Sequence, residues 1–378
     1  MINSHSSQEV YIMGMWALIF GSVIVAACLG IAYLTLCIGR FSAIKKLSGE
    51  NKWRKRIISL GVTAAGFAVA ALAISVVNAV MILLHVVIFF LIFGLLIRII
   101  NKVRGKEFKI NYQGWLALIT SAVYLSVGWY LCHNVWQTDY ELTTDKNVGT
   151  LKIALIADSH MGTTFDGKGF EEHLKTIEKQ SPDMLVIAGD FVDDSTRSQD
   201  LIDACNALGK LDLKYGVWYC YGNHDEGYYK NKDYTPQQLE KSLKDNGVHI
   251  LADSYELVDN RFYVVGRKDK SRGERKDMDD LLKGVDTDKY IIVLDHEPND
   301  YKAEADSPTD LVLSGHTHGG QFFPVTHLGV LMSMNDKTYG YERRESTDFI
   351  VTSGISDWEI KFKTGTKSEY VIVNIKGD

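Results

Sequence analysis

The stretch from residue 311 to residue 323, LVLSGHTHGGQFF, places two histidines two positions apart, between an apolar run and a set of glycines. Four further stretches, ADSH, AGDFVDD, YGNHD and LDHEP, also carry Asp, Asn or His directly after an apolar run. Imidazole, carboxylate and amide groups without thiolates suit divalent ions such as Mn²⁺, Fe²⁺ or Zn²⁺. So many groups exceed what one catalytic ion needs. They suit two ions about 3.5–4 Å apart, an arrangement that can clamp a phosphoryl group.

The apolar runs before these groups are typical of buried β-strands. From residue 150 onward they alternate with helical patterns, and later strands near DFIVTSG and EYVIVNI have no helix between them. The spacing agrees, since 32 residues separate Asp158 from Asp190 and 33 separate Asp190 from Asn223, each about one strand, helix and return. Ligands in α/β sheets bind at the carboxyl ends of strands. The sequence therefore predicts an α/β domain with a mixed second sheet and these side chains at one edge.

The first third of the chain has a different composition. Residues 1–135 carry twelve Lys or Arg and three acidic residues, whereas the remainder carries 29 basic and 44 acidic residues. Four apolar stretches here are long enough to cross a bilayer as helices, which takes about 20 residues. They cover residues 11–38, two spans within the uncharged run 57–97 that divides near Asn78, and residues 115–135. Because they are apolar all round, they predict membrane helices rather than a helical core.

The loops between the predicted spans indicate an orientation. RFSAIKKLSGENKWRKR holds seven basic residues and RIINKVRGKEFKINYQG holds five, and Lys and Arg favour the cytoplasmic side. With four spans, this predicts a multi-pass protein of the cell membrane whose N-terminus and C-terminal domain lie on the extracytoplasmic side. We therefore divide the chain into a membrane domain over residues 1–135, a linker over residues 136–149 and an α/β domain over residues 150–378.

Charge and cysteine content narrow the functional classes. The part after residue 135 has a net charge of −15, which disfavours binding to a nucleic-acid backbone. The five cysteines have no zinc-finger spacing, so no thiolate metal site is predicted, and a disulfide between Cys205 and Cys220 is left open. We interpret the basic stretch 266–277 as a solvated loop, with contact to lipid phosphates as the alternative.

In order along the chain, the polar stretches read Asp158-x-His160, Gly189-Asp190-x-x-Asp193, Gly222-Asn223-His224-Asp225, His296 and Gly315-His316-x-His318. This ordered set resembles the calcineurin-like metallophosphoesterase superfamily over residues 150 to about 325. The run GHTHGGQ, with HEP upstream, is similar to the branch that contains membrane-associated phosphoesterases and UDP-diacylglucosamine hydrolases. The resemblance implies a four-layer α/β/β/α sandwich, which here would follow four transmembrane helices.

The resemblance also implies a role for each matched residue. Seven residues would bind two metal ions, with Asp190 as the bridge: Asp158, His160 and His318 at the first ion, and Asn223, His296 and His316 at the second. His224 would stabilise the transition state or protonate the leaving oxygen, and Asp193 would orient that histidine. Among Mn, Fe and Zn, we favour Mn.

Two departures from the family pattern limit the analogy to the ligand set. Ser159 stands where many members of this branch have an apolar residue, and GISDWEIKFKTGTKSEYV replaces an Arg-containing, glycine-rich tail. We expect a membrane-anchored, outward-facing phosphohydrolase that cleaves phosphodiester or pyrophosphate bonds, with lipid-linked phosphoesters and the lipid bilayer as partners and no nucleic acid. The alternatives are a phosphomonoesterase and a metal-binding membrane sensor or accessory domain without turnover.

Overall fold

A computed structural model describes residues 3–49, 51–228 and 232–377, with side chains from residue 18 onward except residue 19. The chain divides into two compact units, Met1–Val127 and Gly128–Asp378. Five helices precede the first strand: α1 (Asn3–Ile38), α2 (Ser42–Ser48), α3 (Lys52–Ala73), α4 (Val76–Arg104) and α5 (Tyr112–His133). The boundary between the units therefore falls inside α5, whose last turns belong to the second unit.

Four segments are long and apolar enough to cross a membrane: Phe20–Ile38, Lys52–Ala73, Val76–Arg104 and Tyr112–His133. They agree with the four predicted spans, although the side chains of residues 11–17 in the first span lie outside the described ones. The long apolar run divides at Ile74 and Ser75, three residues before Asn78. The reason is a helix cap, because the Ser75 hydroxyl accepts a hydrogen bond from the Asn78 N–H at 3.2 Å and starts α4.

In its described residues, the second unit contains two six-stranded sheets and, after the end of α5, six α-helices. The first sheet has the order β1-β12-β2-β3-β4-β5 and the second β10-β11-β9-β8-β7-β6. The strands are β1 (Trp136–Thr143), β2 (Thr150–Ile156), β3 (Met184–Ala188), β4 (Val217–Cys220), β5 (Val248–Leu251), β6 (Ser254–Val258), β7 (Phe262–Gly266), β8 (Tyr290–Leu294), β9 (Leu311–Ser314), β10 (Gly340–Arg344), β11 (Thr347–Val351) and β12 (Glu369–Lys376). The helices are α6 (Gly167–Glu178), α7 (Ser198–Leu208), α8 (Pro236–Asp245), α9 (Met278–Leu281), α10 (Tyr301–Ala305) and α11 (Leu328–Leu331).

Three apolar layers hold these elements together. Side chains alternate along a strand, so Ile153 and Leu155 of β2 face the second sheet while Ala154 and Ile156 face the helices α6, α7 and α8. A third layer lies on the outer face of the second sheet, against α9 and α10. Each sheet is thus buried on both faces, which explains the nearly continuous apolar runs in its central strands. The predicted four-layer α/β/β/α sandwich is confirmed.

Strand direction brings the predicted ligands to one edge. Strands β2, β3 and β4 are parallel to one another, as are β7, β8 and β9 in the second sheet. The carboxyl ends of parallel strands meet at the same edge, and the polar motifs follow β2, β3, β4, β8 and β9 directly.

The predicted linker over residues 136–149 is wrong for its first half. Residues Trp136–Thr143 form β1, which pairs in parallel with β12 from Trp136 opposite Glu369 to Thr143 opposite Lys376. Strand β1 lies at the edge of its sheet and only Leu142 is buried, so its sequence is too polar to resemble a core strand. The edge strands β6 and β10 are polar for the same reason, and the sequence pattern missed both.

Candidate metal centre and active site

The metal-ligand candidates lie in tight turns after the strands. Asp158, His160, Asp190, His316 and His318 all have left-handed backbone, with φ between 36° and 70°. Such strain persists only where the surroundings hold a residue in place. Backbone hydrogen bonds between the turns do so: the N–H groups of Asp158 and His160 donate to the carbonyls of Gly189 and Asp190, both at 3.1 Å. The turns therefore form one connected platform.

The first ligand group contains Asp158, His160 and His318, whose ligand atoms lie within 4.8 Å of one another. Nε2 of His318 is 3.7 Å from Oδ1 of Asp158, too far for a hydrogen bond. Both ring nitrogens of His160 are buried and make no hydrogen bond to the described residues. Buried polar atoms almost always have a partner, so this arrangement fits a cation between the three side chains.

The second group contains Asp190, His296 and His316, again with ligand atoms within 4.8 Å of one another. Oδ1 of Asn223 joins them, at 3.1 Å from Nε2 of His296 and 2.9 Å from Nδ1 of His316. Nδ1 of His296 lies 2.8 Å from the carbonyl of Ala188. In that contact the Nδ1–H group donates a hydrogen bond to the carbonyl, which leaves Nε2 available as a ligand.

Asp190 lies between the two groups. Its Oδ2 atom is 3.1 Å from Nε2 of His296 and 3.6 Å from Nε2 of His160. Its Oδ1 atom accepts a hydrogen bond from the N–H of His224 at 2.7 Å. Burial alone would raise the pKa of Asp190, but His296 and His160 hold that pKa well below its usual value. A charged carboxylate in this position can bridge two cations.

The donor set fits two divalent ions. Burial and the neighbouring His296 lower the pKa of His316 to about 3, so its imidazole is neutral, which is the form that binds metals. Burial alone would lower the pKa of His296, but the charge of Asp190 raises that pKa well above the ordinary value. A bound cation would take the place of the proton that His296 holds here. The structure thus brings together all seven predicted metal ligands.

Two glycines of the motifs allow this close approach. A methyl group on Gly222 would lie 2.3 Å from Oδ1 of Asp190, and one on Gly315 would lie 2.6 Å from Oδ2 of Asp158. Any larger residue at either position would displace a metal-ligand candidate.

Asp225, the last residue of the Gly-Asn-His-Asp motif, is a buried anchor that sequence reasoning left without a role. Its carboxylate accepts hydrogen bonds from the N–H groups of Gly222 at 2.7 Å, Asp190 at 2.9 Å, Phe191 at 2.8 Å and Val192 at 3.1 Å. These bonds tie the turn after β4 to the turn after β3. Asp225 therefore fixes the backbone that carries Asp190.

Asp193, predicted to orient His224, lies beside a ligand of the first group. Its Oδ2 atom is 3.4 Å from Nδ1 of His160. Burial would raise the pKa of Asp193, but His160 lowers it below the ordinary value. The hydrogen bond from the N–H of His160 to the carbonyl of Asp190 places the turns that carry these two residues side by side.

His224, the predicted catalytic histidine, borders the ligand groups without belonging to either. Its ring lies 5.1 Å from the ring of His160 and 5.2 Å from that of Trp358, measured between centroids. Nδ1 of His224 is buried and has no hydrogen-bond partner among the described residues. Burial lowers the pKa of His224 to about 4, so the ring is neutral near pH 7.

Asp357 is a second residue that the sequence did not reveal. It lies in the stretch that replaces the family tail and is fully buried, with Oδ1 3.2 Å from Nδ1 of His318 and 3.4 Å from Nζ of Lys363. Its Oδ2 atom accepts a hydrogen bond from Sγ of Cys132 at 3.1 Å. Cys132 lies in the last turn of α5, so the first ligand group is connected through Asp357 to the end of a candidate membrane span.

The basic stretch 266–277 is not simply a solvated loop. Arg267 is 2% exposed and pairs with Asp295 at 2.9 Å, Asp300 at 2.9 Å and Glu304 at 3.3 Å. Asp295 immediately precedes His296, so these ion pairs stabilise the turn that carries a ligand. The interpretation of this stretch as a solvated loop failed at Arg267 because its acidic partners are about 30 residues further along the chain.

Arg272 of the same stretch lies beside the second group. Its guanidinium donates to the carbonyls of Asn223 and Gly227 and lies over the Tyr228 ring, 4.8 Å from the centroid. The Tyr228 hydroxyl in turn accepts a hydrogen bond from Nδ2 of Asn223 at 2.9 Å. This bond fixes the amide so that its oxygen faces His296 and His316.

Polar groups outside the motifs have ordinary roles. His249 stacks on Trp218 with ring centroids 4.1 Å apart, and His173 packs edge-on against Phe165 at 4.9 Å. Cys205 and Cys220 are both buried and free, which answers the open question about a disulfide.

An α/β sandwich with two adjoining ligand groups at the strand ends is the architecture of a metal-dependent hydrolase. The family model for calcineurin-like phosphoesterases matches residues 151–320. An uncharacterized metallophosphoesterase of Campylobacter jejuni is 33% identical over 233 residues, 60% of this chain and 59% of the relative. One from Aquifex aeolicus is 32% identical over 248 residues, 63% of this chain and 90% of the relative.

A third relative is named as a transmembrane protein. The transmembrane protein with metallophosphoesterase domain of Danio rerio is 30% identical over 321 residues, 77% of this chain and 71% of that protein. The chain belongs to the calcineurin-like metallophosphoesterase family, whose members are metal-dependent phosphoesterases. With four helices suited to crossing a bilayer, it is a membrane protein of that family.

Proposed function

We propose that this chain is an outward-facing, membrane-anchored phosphohydrolase that cleaves phosphodiester or pyrophosphate bonds, with lipid-linked phosphoesters as substrates. Two divalent ions serve as cofactors, with Mn²⁺ favoured over Fe²⁺ and Zn²⁺. The observation that supports this most strongly is the position of Asp190, 3.1 Å from a histidine of one ligand group and 3.6 Å from a histidine of the other.

Seven residues would hold the ions, as described above, and the ions would supply Lewis-acid stabilisation of charge on the phosphoryl group. The remaining chemistry belongs to the chain. His224 is held by its backbone bond to Asp190 and borders both ligand groups. As a neutral imidazole it donates one hydrogen bond to a phosphoryl oxygen, and the negative charge of a bound substrate favours its protonated form, which can pass a proton to the leaving oxygen.

Arg272 supports a substrate with more than one phosphate or with a phosphodiester. Its guanidinium lies over Tyr228 next to Asn223, at the border of the second ligand group. A guanidinium matches the geometry of phosphate oxygens and remains charged at all relevant pH values. A second phosphate, or the far side of a diester, is a suitable partner for it.

The membrane part supports a substrate held in or near the bilayer. One span would retain a hydrolase at a membrane, whereas this chain has four candidate spans. The described part of the third span holds one titratable histidine, His85, whose Nδ1 atom lies 2.7 Å from the carbonyl of Met81 within the same helix. The spans carry few charged groups suited to an ion path, which favours anchoring over transport.

Hydrolysis is tested with the detergent-solubilised full chain and a chromogenic phosphodiester, with and without Mn²⁺, followed by a screen of lipid-linked and nucleotide phosphoesters. We expect Mn²⁺-dependent turnover of diesters or pyrophosphates and slower turnover of monoesters. Faster turnover of monoesters would favour the phosphomonoesterase alternative. Full metal binding without hydrolysis of any phosphoester would favour the sensor or accessory alternative.

Orientation is tested by a reporter that is active only outside the cytoplasm, fused after Asp378. We expect activity there and none when the same reporter is inserted at Gly105, in a basic loop expected on the cytoplasmic side. The opposite pattern would contradict the outward-facing assignment and leave the hydrolytic proposal intact.

A further inference from the structure

An exposed apolar segment follows the last metal-ligand motif. Five apolar side chains between residues 325 and 334 are exposed: Val325, Leu328, Leu331, Met332 and Met334. Leu331 is 80% exposed, and none of the four residues of α11 is buried. Single exposed apolar residues are common on proteins, whereas a cluster of this kind marks a contact surface. We call residues 325–334 the apolar segment.

The chain that follows the apolar segment is bonded to the last metal-ligand motif. The Thr317 hydroxyl, between His316 and His318, donates to the carbonyl of Thr338 at 2.5 Å. At the other end, the hydroxyl of Thr326 donates to the carbonyl of Phe322 at 3.1 Å. The chain after the segment therefore returns to the turn between His316 and His318.

The base of the apolar segment is also continuous with the end of α5. Phe323 donates its N–H to the Thr364 hydroxyl at 3.2 Å, and Lys363 donates its N–H to the carbonyl of Gly128 at 3.0 Å. Trp129 packs on Phe362 with ring centroids 5.6 Å apart. Gly128 and Trp129 belong to the last turns of a candidate membrane span. The span end and the apolar segment thus share residues 362–364 as a common support.

The surroundings of this support have the composition of a membrane interface. Trp129, Tyr130 and Trp136 are exposed, and Nζ of Lys367 lies 5.6 Å from the centroid of the Trp136 ring. Tryptophan, tyrosine and lysine near the end of a span favour the level of the lipid headgroups. If these aromatic and lysine side chains lie at the headgroups, the adjoining apolar segment can contact the acyl chains of the same bilayer.

We propose that the apolar segment is a membrane-contacting surface that inserts into the bilayer holding α5 and keeps the entrance of the metal site at the lipid surface. The occupant is the bilayer itself, not a second protein chain. A surface of this kind inserts by roughly 5–10 Å, to the boundary between headgroups and acyl chains. It would give the site access to phosphate groups at the membrane surface, whichever phosphoester the enzyme cleaves.

The test uses the full chain, reconstituted in vesicles of phosphatidylcholine and phosphatidylglycerol. Leu331→Cys, in a Cys28→Ser background, is labelled with an environment-sensitive fluorophore, since the other four cysteines are buried. Nitroxide groups at known depths on the lipids then quench the label. The matched control is Leu257→Cys, an exposed leucine on the edge strand β6. Both variants change exposed side chains, so the fold is expected to be retained.

We expect a blue-shifted emission from the label at position 331 and several-fold stronger quenching by lipid nitroxides than at position 257, with the depth about 5–10 Å below the headgroups. Equal, weak quenching at both positions would overturn the proposal. A disulfide between two copies at position 331, with no lipid quenching, would also overturn it and identify a second chain as the occupant. The measurement needs no turnover, so its outcome is independent of the proposed hydrolytic function.

Discussion

The two metal-ligand groups meet at Asp190 but are supported differently. In the second group, His296 is oriented by a backbone carbonyl, and the turn that carries Asp190 is fixed by the buried carboxylate of Asp225. In the first group, the outer nitrogens of His160 and His318 face the carboxylates of Asp193 and Asp357. The histidines of the first group are therefore supported by two acidic side chains, whereas His296 of the second group is supported by the main chain.

The difference matters because one of those carboxylates, Asp357, is bonded to a residue at the end of α5. Asp357 connects His318 with Cys132 at the end of α5, within the second unit. We therefore expect a change at Cys132 to affect the first group before the second.

Asp190 lies between the two ligand groups, so its replacement is expected to disrupt both. We expect Asp190→Asn to reduce hydrolysis to background and to weaken metal binding at both groups, because one carboxylate serves both. Metal content by mass spectrometry and phosphodiester turnover measure this. Asp245→Asn, which neutralises a surface carboxylate at the end of α8, is the matched control and should keep both properties. Normal metal content at both groups in Asp190→Asn would contradict the bridging role.

His224 lies beside both groups, and its removal separates chemistry from metal binding. We expect His224→Ala to lower kcat by about 10²–10⁴-fold, the usual range for a proton-transfer group, with metal content unchanged. His249→Ala, which removes a histidine stacked on Trp218, serves as control and should remain active. A fully active His224→Ala variant would remove this residue from the mechanism.

The carboxylate supports test the comparison directly. We expect Asp357→Asn to weaken metal binding at the first group about 10–100-fold, as is usual for residues that orient a ligand, and to leave the second group unchanged. A metal titration by calorimetry would then resolve one weakened and one normal site. Equal weakening at both sites would show that the two groups are not supported separately.

Asp357→Asn leaves the buried Lys363 without its carboxylate, which could affect folding as well. The double variant with Lys363→Met removes that charge. If the role of Asp357 is to position His318, the double variant regains thermal stability and still binds the first ion weakly. Recovery of normal metal affinity would assign Asp357 a structural role only.

The smallest effect concerns the amide of the second group. Tyr228→Phe removes the hydroxyl that accepts from Nδ2 of Asn223. One hydrogen bond contributes about 1 kcal/mol, so we expect metal affinity at the second group to fall about fivefold. Competition with a metal-binding dye measures such a change. Weaker metal binding at the first group instead would show that Asn223 belongs to the first group and not to the second.

The clustering of the ligand candidates was predictable because it depends on local patterns. Each ligand follows an apolar strand within a few residues, and parallel strands bring their ends together. The grouping of Asp158 with His318, which 160 residues separate, came from the resemblance to the phosphoesterase family. The alternation of strands and helices predicted the α/β domain, and the late strands without a helix between them predicted a mixed second sheet. The four-layer sandwich came from the resemblance to the family.

The supporting residues were not predictable, because their partners are distant in sequence. Nothing near Asp357 indicates that it faces His318, and Arg267 resembles the exposed basic residues around it although its partners are Asp295 and Asp300. Strand β1 was missed because an edge strand needs few apolar side chains. The contact between Asp193 and His160 was not predicted, because sequence order alone does not show which two turns lie side by side.

The most direct test of the account is a metal titration of the metal-free full chain, with bound ions and phosphodiester hydrolysis followed in the same samples. If Asp190 joins two catalytic ions, activity stays near background until the second equivalent of Mn²⁺ binds and reaches its maximum at two ions per chain. Full activity at one ion per chain, or at none, would contradict the account.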